Sequence, residues 1–490
     1  MPQPAEPIRV VDLGPVTKAL TRLSARRFGY DAAKNKNRRR PPSSILKSED
    51  KELTSQERRA LIGSARDLQR NYSVAAWAIR RHLDYVATFA FQAKTPSPPL
   101  NAILENLVAE WSLPRNCDVA GRHSLPRIIR LAEARRTLDG DLLLIRLADG
   151  RIQAVEGDRV RQPTGGWPAT ADIDREKMVE GVLLDAAGAA RAYAVCKRTK
   201  IGGFEFERMV PARNVEHHAY FDRFDQVRGI SPLVAAINPM QDTYEGFDLA
   251  LAKMKVAQLF GVAFYREDYE PPAVVEDAAE TDVDADDSTE TDEEATSPRK
   301  IDLGRGPVAF DLEDGEKAQI IESHTPSNEF QTFSQQIIAV GLKALDIPFS
   351  FFDESFTNYS GSRQALLQYE FSAENKRQDN RDLLDRLTAW RIALWLADGA
   401  LELPADLTPA DIKWEWIAKG VPWIDPLKEV NADIAAVGAG LTSRTRICKA
   451  RGEDFGDIAQ ELADENKLLT DLGLPTNVTP ANAQIVEIAQ

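Results

Sequence analysis

Two residue types that build active sites are scarce in this chain of 490 residues, which holds three cysteines and five histidines. Cys117, Cys196 and Cys448 lie far apart and without CxxC spacing. That argues against a disulfide framework or a zinc site, fits a reducing cytoplasm and reads as inert buried thiols. The histidines are His82, His123, His217, His218 and His324. There is no HExxH, and no two histidines stand at i, i+4, the spacing that puts two metal ligands on one helix face. His217 and His218 fall in an expected strand, where neighbours point to opposite faces and cannot share one ion. No GxxxxGK[ST] occurs, so any ATP hydrolysis linked to this protein must come from another chain.

Long apolar runs are missing too. Residues 337–345 make the best stretch, about half of the roughly 18 residues a spanning helix needs, and Gly341 and Lys343 interrupt it. The first residues, MPQPAEPIRVVDLG, contain no apolar h-region, so no secretory leader is expected and the chain reads as soluble. Hydrophobic residues at 43% and charged residues at 28% describe an ordinary folded protein, and the length suggests roughly three domains.

Charge is present and unevenly placed. The net charge is −15, yet residues 276–295 alone hold eleven acidic side chains and no Lys or Arg, leaving only −4 for the rest. This acidic insert lacks the DxDxDG pattern of a calcium loop and reads as a solvated segment. Residues 17–40 carry nine Lys or Arg against Asp31 alone, a basic arm broken by RRRPPSS at 38–44.

The periodicities predict helices over 54–90, where Thr54 and Glu57 make a capping pattern, over 100–111, and over about 125–138. Residues 141–227 change to short β-favouring runs separated by Asp-Gly, Gly-Asp and Gly-Gly turns, a mixed antiparallel region. Ser231 with Pro232 reads as the cap and first position of a helix reaching about residue 260. Two strand-like runs, VAFYRED and PVAFDLEDG, flank the acidic insert. A helix over 328–346 follows, with Phe330, Phe333, Ile337, Leu342 and Leu345 on one face, then the loop DIPFSFFDESFTN. From 362 to 398 there is no Pro or Gly, and Leu383, Leu387, Trp390 and Leu394 form a helical stripe. Such a helix is several times the usual length. A strand at 412–417 and two or three short helices complete the chain, and its last dozen residues read as frayed.

Gly229-Ile230-Ser231-Pro232-Leu233 resembles half of a nucleophile elbow. The elbow needs Gly two residues after the serine, where this chain has Leu233, and Pro232 removes an N–H that would help hold an oxyanion. A hydrolase or nuclease with an unrecognised active site stays the alternative reading.

Four blocks carry a family resemblance. They are SARDLQRNYSVAAWAI (64–79), RNVEH (213–217) with QVRGISPL (226–233), NYSGSR (358–363), and IDPLKE (424–429) with GLTSR (440–444). In this order they resemble the lambda-type portal proteins of tailed bacteriophages. Two departures are the absence of a Gly-rich turn in residues 84–92 and the acidic insert. The resemblance implies an α+β, mainly helical portal fold. Its parts would be a basic arm (1–54), a wing (55–230), a first stem helix (231–261), a clip (262–327) and a second stem helix (328–346). A tunnel loop (347–361), a crossing helix with wing return (362–424) and a crown (425–490) would follow. It implies a ring of twelve copies at the portal vertex of the virion, assembled in the host cytoplasm. It implies no catalysis, cofactor or membrane. Double-stranded DNA would pass through, and terminase, head–tail connector and major capsid or scaffold protein would dock. The clip would receive motor and neck, with the acidic insert tuning their encounter. In the tunnel loop, Asp353 and Glu354 would repel phosphate while Thr357, Asn358, Tyr359 and Ser360 touch DNA in passing. Arg228, Gly229, Ser231, Pro232, Arg363, Asp425, Pro426, Lys428 and Glu429 would be structural motif residues.

Overall fold

The computed structural model describes residues 47–168, 173–259, 262–266, 316–320, 328–353, 359–420 and 425–474. The acidic insert and most of the basic arm lie outside the described residues. Thr54 and Glu57 form the expected capping box at the start of α1 (Ser55–Asn71). The helix anticipated as far as residue 90 breaks at Tyr72, whose backbone is extended and whose ring is buried 5.5 Å from that of Tyr244. α2 (Ser73–Val86) follows, and then the chain becomes strand β1 (Phe89–Ala93) instead of helix. The cause is distant: β1 pairs antiparallel with a strand more than 300 residues later, setting Phe91 opposite Trp416 with rings 5.2 Å apart. Cross-strand aromatic pairing of this kind outweighs local helix preference.

α3 (Pro98–Trp111) and α4 (Leu125–Asp139) precede the β-rich part. There β2 (Asp141–Arg146) lies between β3 (Ile152–Glu156) and β8 (Val215–Ala219). A second sheet runs in order through β4 (Met178–Val179), β5 (Val182–Leu184), β6 (Ala190–Arg198) and β7 (Phe204–Pro211). Every pairing in both sheets is antiparallel, and Leu143, Ile145, Val155, Val195 and Val210 pack the two together. Glu180 and Gly181 turn β4 into β5 with φ of 47° and 84°, the positive pair that matches the twist of a two-residue hairpin.

α5 (Val234–Leu259) starts two residues later than expected and is about 39 Å long at 1.5 Å per residue. β9 (Val262–Arg266) pairs antiparallel with β10 (Glu316–Ile320). α6 (Asn328–Leu342) then packs beside α5 through only part of the face anticipated: Leu342 and Leu345 are buried and Phe330 meets Phe247 of α5 at 5.7 Å, but the centre of the contact lies elsewhere. Ser334, Ile338, Gly341 and Leu342 are buried, while Phe333 points outward. Small residues decide this: a Cβ on Gly341 would sit 2.9 Å from the Met240 Cε, so α5 approaches where α6 is thinnest. α7 (Tyr359–Ala397) is a single helix of 39 residues, roughly 58 Å, beginning three residues before the expected start. Its buried face includes Leu383 and Leu387 as read, and Leu384, Thr388, Ile392 and Trp395 widen it. β11 (Trp414–Ala418) is the partner of β1. α8 (Pro426–Gly438), α9 (Arg444–Ala450) and α10 (Phe455–Asp471) end the described chain, and none of them has a buried residue.

Where α2, α4, β8 and α7 meet, the core is polar. The fully buried Glu133 carboxylate faces His82 Nε2 at 2.9 Å, His218 Nε2 at 3.4 Å, Arg136 Nε at 3.1 Å and Asn380 Nδ2 at 3.2 Å. The Tyr220 hydroxyl donates to it at 3.3 Å, and the Arg136 guanidinium lies 3.9 Å from the Tyr220 ring centroid. Burial alone would raise the Glu133 carboxyl. Arg136 charge and the hydrogen bonds from His218 and His82 outweigh burial and hold it well below the usual range. Burial dominates for His82 and His218, pushing both below the ordinary histidine range, so each donates Nε2–H as a neutral ring.

Both effects act in one direction. A histidine held neutral by the fold takes up its proton on unfolding, so its contribution is present above about pH 6.5 and is lost as pH falls. The depressed carboxylate loses its contribution at still lower pH. Urea denaturation at pH 7, 6 and 5 is therefore expected to show falling stability, by at most about 1.4 kcal/mol per pH unit for each histidine. His82→Gln should be less stable at pH 7 and show a flatter profile.

Candidate functional site

The motif at 228–232 builds a joint between the β-rich part and α5. Arg228 is buried, and each of its five N–H groups meets an oxygen. Nε and one Nη reach the two Asp141 carboxylate oxygens at 2.6 and 2.7 Å. The remaining three go to the carbonyls of Gly157 (2.7 Å), Glu180 (2.7 Å) and Val160. Asp141 also accepts from the Gly229 N–H at 3.0 Å and lies 3.3 Å from His217 Nε2. Burial would lift the Asp141 carboxyl, but the Arg228 charge and its hydrogen bonds hold it far below the usual carboxylate range. Thus the paired histidines do face opposite ways, His217 to Asp141 and His218 to Glu133.

Gly229 is required by close approach. A Cβ there would lie 2.1 Å from the Gly140 carbonyl oxygen, and one on Gly140 would lie 2.5 Å from the Gly229 oxygen. Gly140 also has φ of +92°, beyond the reach of ordinary side chains. Ser231 caps the turn that enters α5. Its hydroxyl donates to the Thr137 carbonyl at 2.6 Å and accepts from the Leu233 N–H at 3.1 Å, with Pro232 in the turn before α5. Its hydroxyl is thus engaged with backbone groups on both sides. Arg66, from the first motif block, binds the Asp139 carboxylate in bidentate fashion at 2.8 and 2.6 Å, next to the same joint.

The other two motif blocks also meet. Arg363, in the first turns of α7, donates to Glu429 at 2.7 Å. Asp425 caps α8 by accepting from the Lys428 N–H at 3.3 Å, its carboxylate lies 3.0 Å from Lys428 Nζ, and Pro426 stands at the first helical position. Asp425 is accordingly held below the usual range by the hydrogen bonds from Lys428. Sequence reading named these positions without joining them.

The segment anticipated as a loop over 347–361 is divided. Ile347 is buried, and Phe351 sits 5.4 Å from the Tyr369 ring and 5.9 Å from Tyr85, while Phe352 meets Trp77 at 5.9 Å. Asp353 follows this aromatic anchor and accepts from Gln335 Nε2 of α6 at 3.3 Å. Tyr359 and Ser360 belong to α7, not to a loop. Glu354, Thr357 and Asn358 lie outside the described residues.

Two acidic residues escaped notice in the sequence, Asp141 and Glu133. Asp141 stood in a Gly turn, yet it opens DLLLIR, whose first five residues are all buried. A charge at the head of such a run has to find a partner. Among the described residues no group of three or more His, Cys, Asp or Glu is placed to hold a metal ion. Nor is any described helix long and apolar enough to cross a membrane.

Asp141→Asn would leave Arg228 buried without its counter-charge, and a loss of about 3–5 kcal/mol in chemical denaturation is expected. The family model for lambda-family phage portal proteins matches residues 36–377. A probable portal protein of Halomonas phage phiHAP-1 is 25% identical over 410 residues, covering 77% of this chain and 72% of that one. Among solved structures, a chain in the neck of a native gene transfer agent particle is 12% identical with a TM-score of 0.44, over 84% of this chain and 94% of that one. A HK97-family phage portal protein from Corynebacterium diphtheriae is 12% identical with a TM-score of 0.27, over 64% and 84%. The family match spans well over half the chain and includes the Arg228 joint, which sets the hydrolase and nuclease readings aside. This chain, with its motif residues spent on holding helices and sheets together, belongs to the lambda family of phage portal proteins, structural components of the virion and not enzymes.

Proposed function

We propose that twelve copies of this chain close into a ring at one capsid vertex, and that double-stranded DNA passes through its axis during packaging and ejection. The order of elements carries the reading. Two adjacent helices, α5 and α6, bracket the β9–β10 hairpin, and a short segment then leads into the 39-residue α7. An enzyme has no need of this order, whereas a conduit wall needs rods that run along its axis and others that tie each rod outward. In this reading residues 55–230 form the wing, 231–261 and 328–346 the stem, 262–327 the clip, 347–361 the tunnel loop, 362–424 the crossing helix and wing return, and 425–490 the crown. Terminase and the head–tail connector dock at the clip, where the acidic insert steers their approach. The basic arm contacts capsid or scaffold.

The electrostatic requirement on the bore is weak attraction. Duplex DNA carries one negative charge per about 1.7 Å, and each phosphate neutralised releases counterions and tightens binding. Twelve-fold repetition multiplies any wall charge, so basic side chains there would hold DNA in place. Asp353 suits the requirement: it follows an aromatic anchor that fixes its position, and Glu354 follows it in sequence.

Electron microscopy of the purified chain tests the reading directly; rings with an axial opening wide enough for duplex are expected, and solitary compact particles at every concentration contradict it. Asp353→Lys combined with Glu354→Lys should leave rings intact but slow packaging or impair DNA retention. The variant ring should also bind duplex DNA with a steeper salt dependence than the wild type.

A further inference from the structure

The last three helices contain an apolar surface that the described chain covers only in part. In α10, Phe455, Ile458, Leu462 and Leu469 recur at helical spacing, and Leu472 at its C-terminal cap extends the stripe. Phe455, Ile458 and Leu469 are half-buried, while Leu462 and Leu472 are more than half exposed. Five acidic residues and Lys467 alone among bases share this helix, with Glu461 and Glu465 beside the stripe. An exposed apolar stripe of this length marks a contact surface.

A matching surface lies elsewhere on the same chain. The first half of α7, the end of β11, α8 and α9 enclose an open groove of about 840 Å³. Leu367 and Phe371 project into it at 58% and 77% exposure, with Leu366 and Ile447 half-buried beside them. Its rim is basic, with seven Lys or Arg against four Asp or Glu, including the exposed Arg446 of α9.

We propose that α10 of one subunit lies in this groove on the next subunit and so closes the ring. The inference rests on the ring reading above and assigns it a contact. Stripe meets groove with apolar against apolar and acidic flank against basic rim, and α10, about 25 Å long, lies along the groove as a helix. Within its own chain α10 is tethered at its start, by Asp454 to Lys94 and by Asp457 to Gln92, and Leu462 and Leu472 of the stripe stay exposed. Stripe and groove are different patches of one chain. Their pairing between copies is therefore head-to-tail, the type of contact that closes a ring when the rotation per subunit divides a full turn.

Charge reversal tests the contact. Arg446→Glu and Glu465→Arg, each alone, should lower the ring fraction at physiological salt several-fold while the circular dichroism spectrum is unchanged, since both side chains are exposed. Combined in one chain, they should restore rings. A short thiol cross-linker on Leu367→Cys together with Leu462→Cys, in a Cys448→Ser background, should give an interchain ladder ending at the closed ring. Rings that form normally in both single variants overturn the proposal, as do rings whose cross-links run only within a chain or only between like residues. A wild-type chain that forms no ring at all removes the ring reading and this contact with it.

Discussion

A single buried guanidinium ties this fold together. Arg228 has no water to fall back on, so all five of its N–H groups must be met by protein, and they are met at four places: the start of β2, Gly157 just after β3, Val160, which bridges to Val195 of β6, and the β4–β5 turn. Any shift of one segment strands a donor. A buried ion pair contributes little net stability compared with well-packed apolar groups, but breaking it is costly, which makes it a device for specifying one arrangement. Here the arrangement is the angle at which α5 leaves the β-rich part. The neighbouring glycines serve the same end, since Gly140 and Gly229 cross with no space for a Cβ on either.

The Glu133 cluster does for α7 what Arg228 does for α5. Asn380, midway along the helix, bonds both to Glu133 and to the Val86 carbonyl at the end of α2. Close by, Arg377 donates to the Tyr85 carbonyl at 2.6 Å and Arg386 to Glu216 of β8 at 2.6 Å. A helix held by charged and amide groups has its rotation and its register set, because those bonds have directions that apolar packing lacks. The fold therefore places its polar chemistry at joints between long rods. For a structural protein whose work is geometric, that is where polar chemistry is useful.

Much of this was legible in the residues, and the failures have identifiable causes. Capping by Thr54 and Glu57, the Gly-punctuated strands of 141–227 and the uninterrupted run beyond residue 362 are local signals, and each led to the element found. β1 went unread, with its first two residues taken as the end of a helix, because its partner lies beyond residue 410 and pairing at that distance leaves no trace in a short window. The centre of the α6 face was misjudged because the largest side chains were assumed to face inward. Its neighbour instead wants the smallest, at Ser334 and Gly341. The motif positions from Arg228 to Glu429 were found by resemblance, but their partners were not. That Arg228 needs Asp141, and Arg363 needs Glu429, follows only from the fold.

The β9–β10 pairing has one more consequence. Arg266 stands directly opposite Glu316, so these two positions lie about 5 Å apart, one interstrand spacing. Sequence added between two positions so held need not alter the register of the strands, and doubling a loop adds only about 0.6 kcal/mol of closure entropy. The hairpin is thus a socket: related viruses could exchange whole modules there, or an engineer could graft a foreign domain, without disturbing the architecture that carries it.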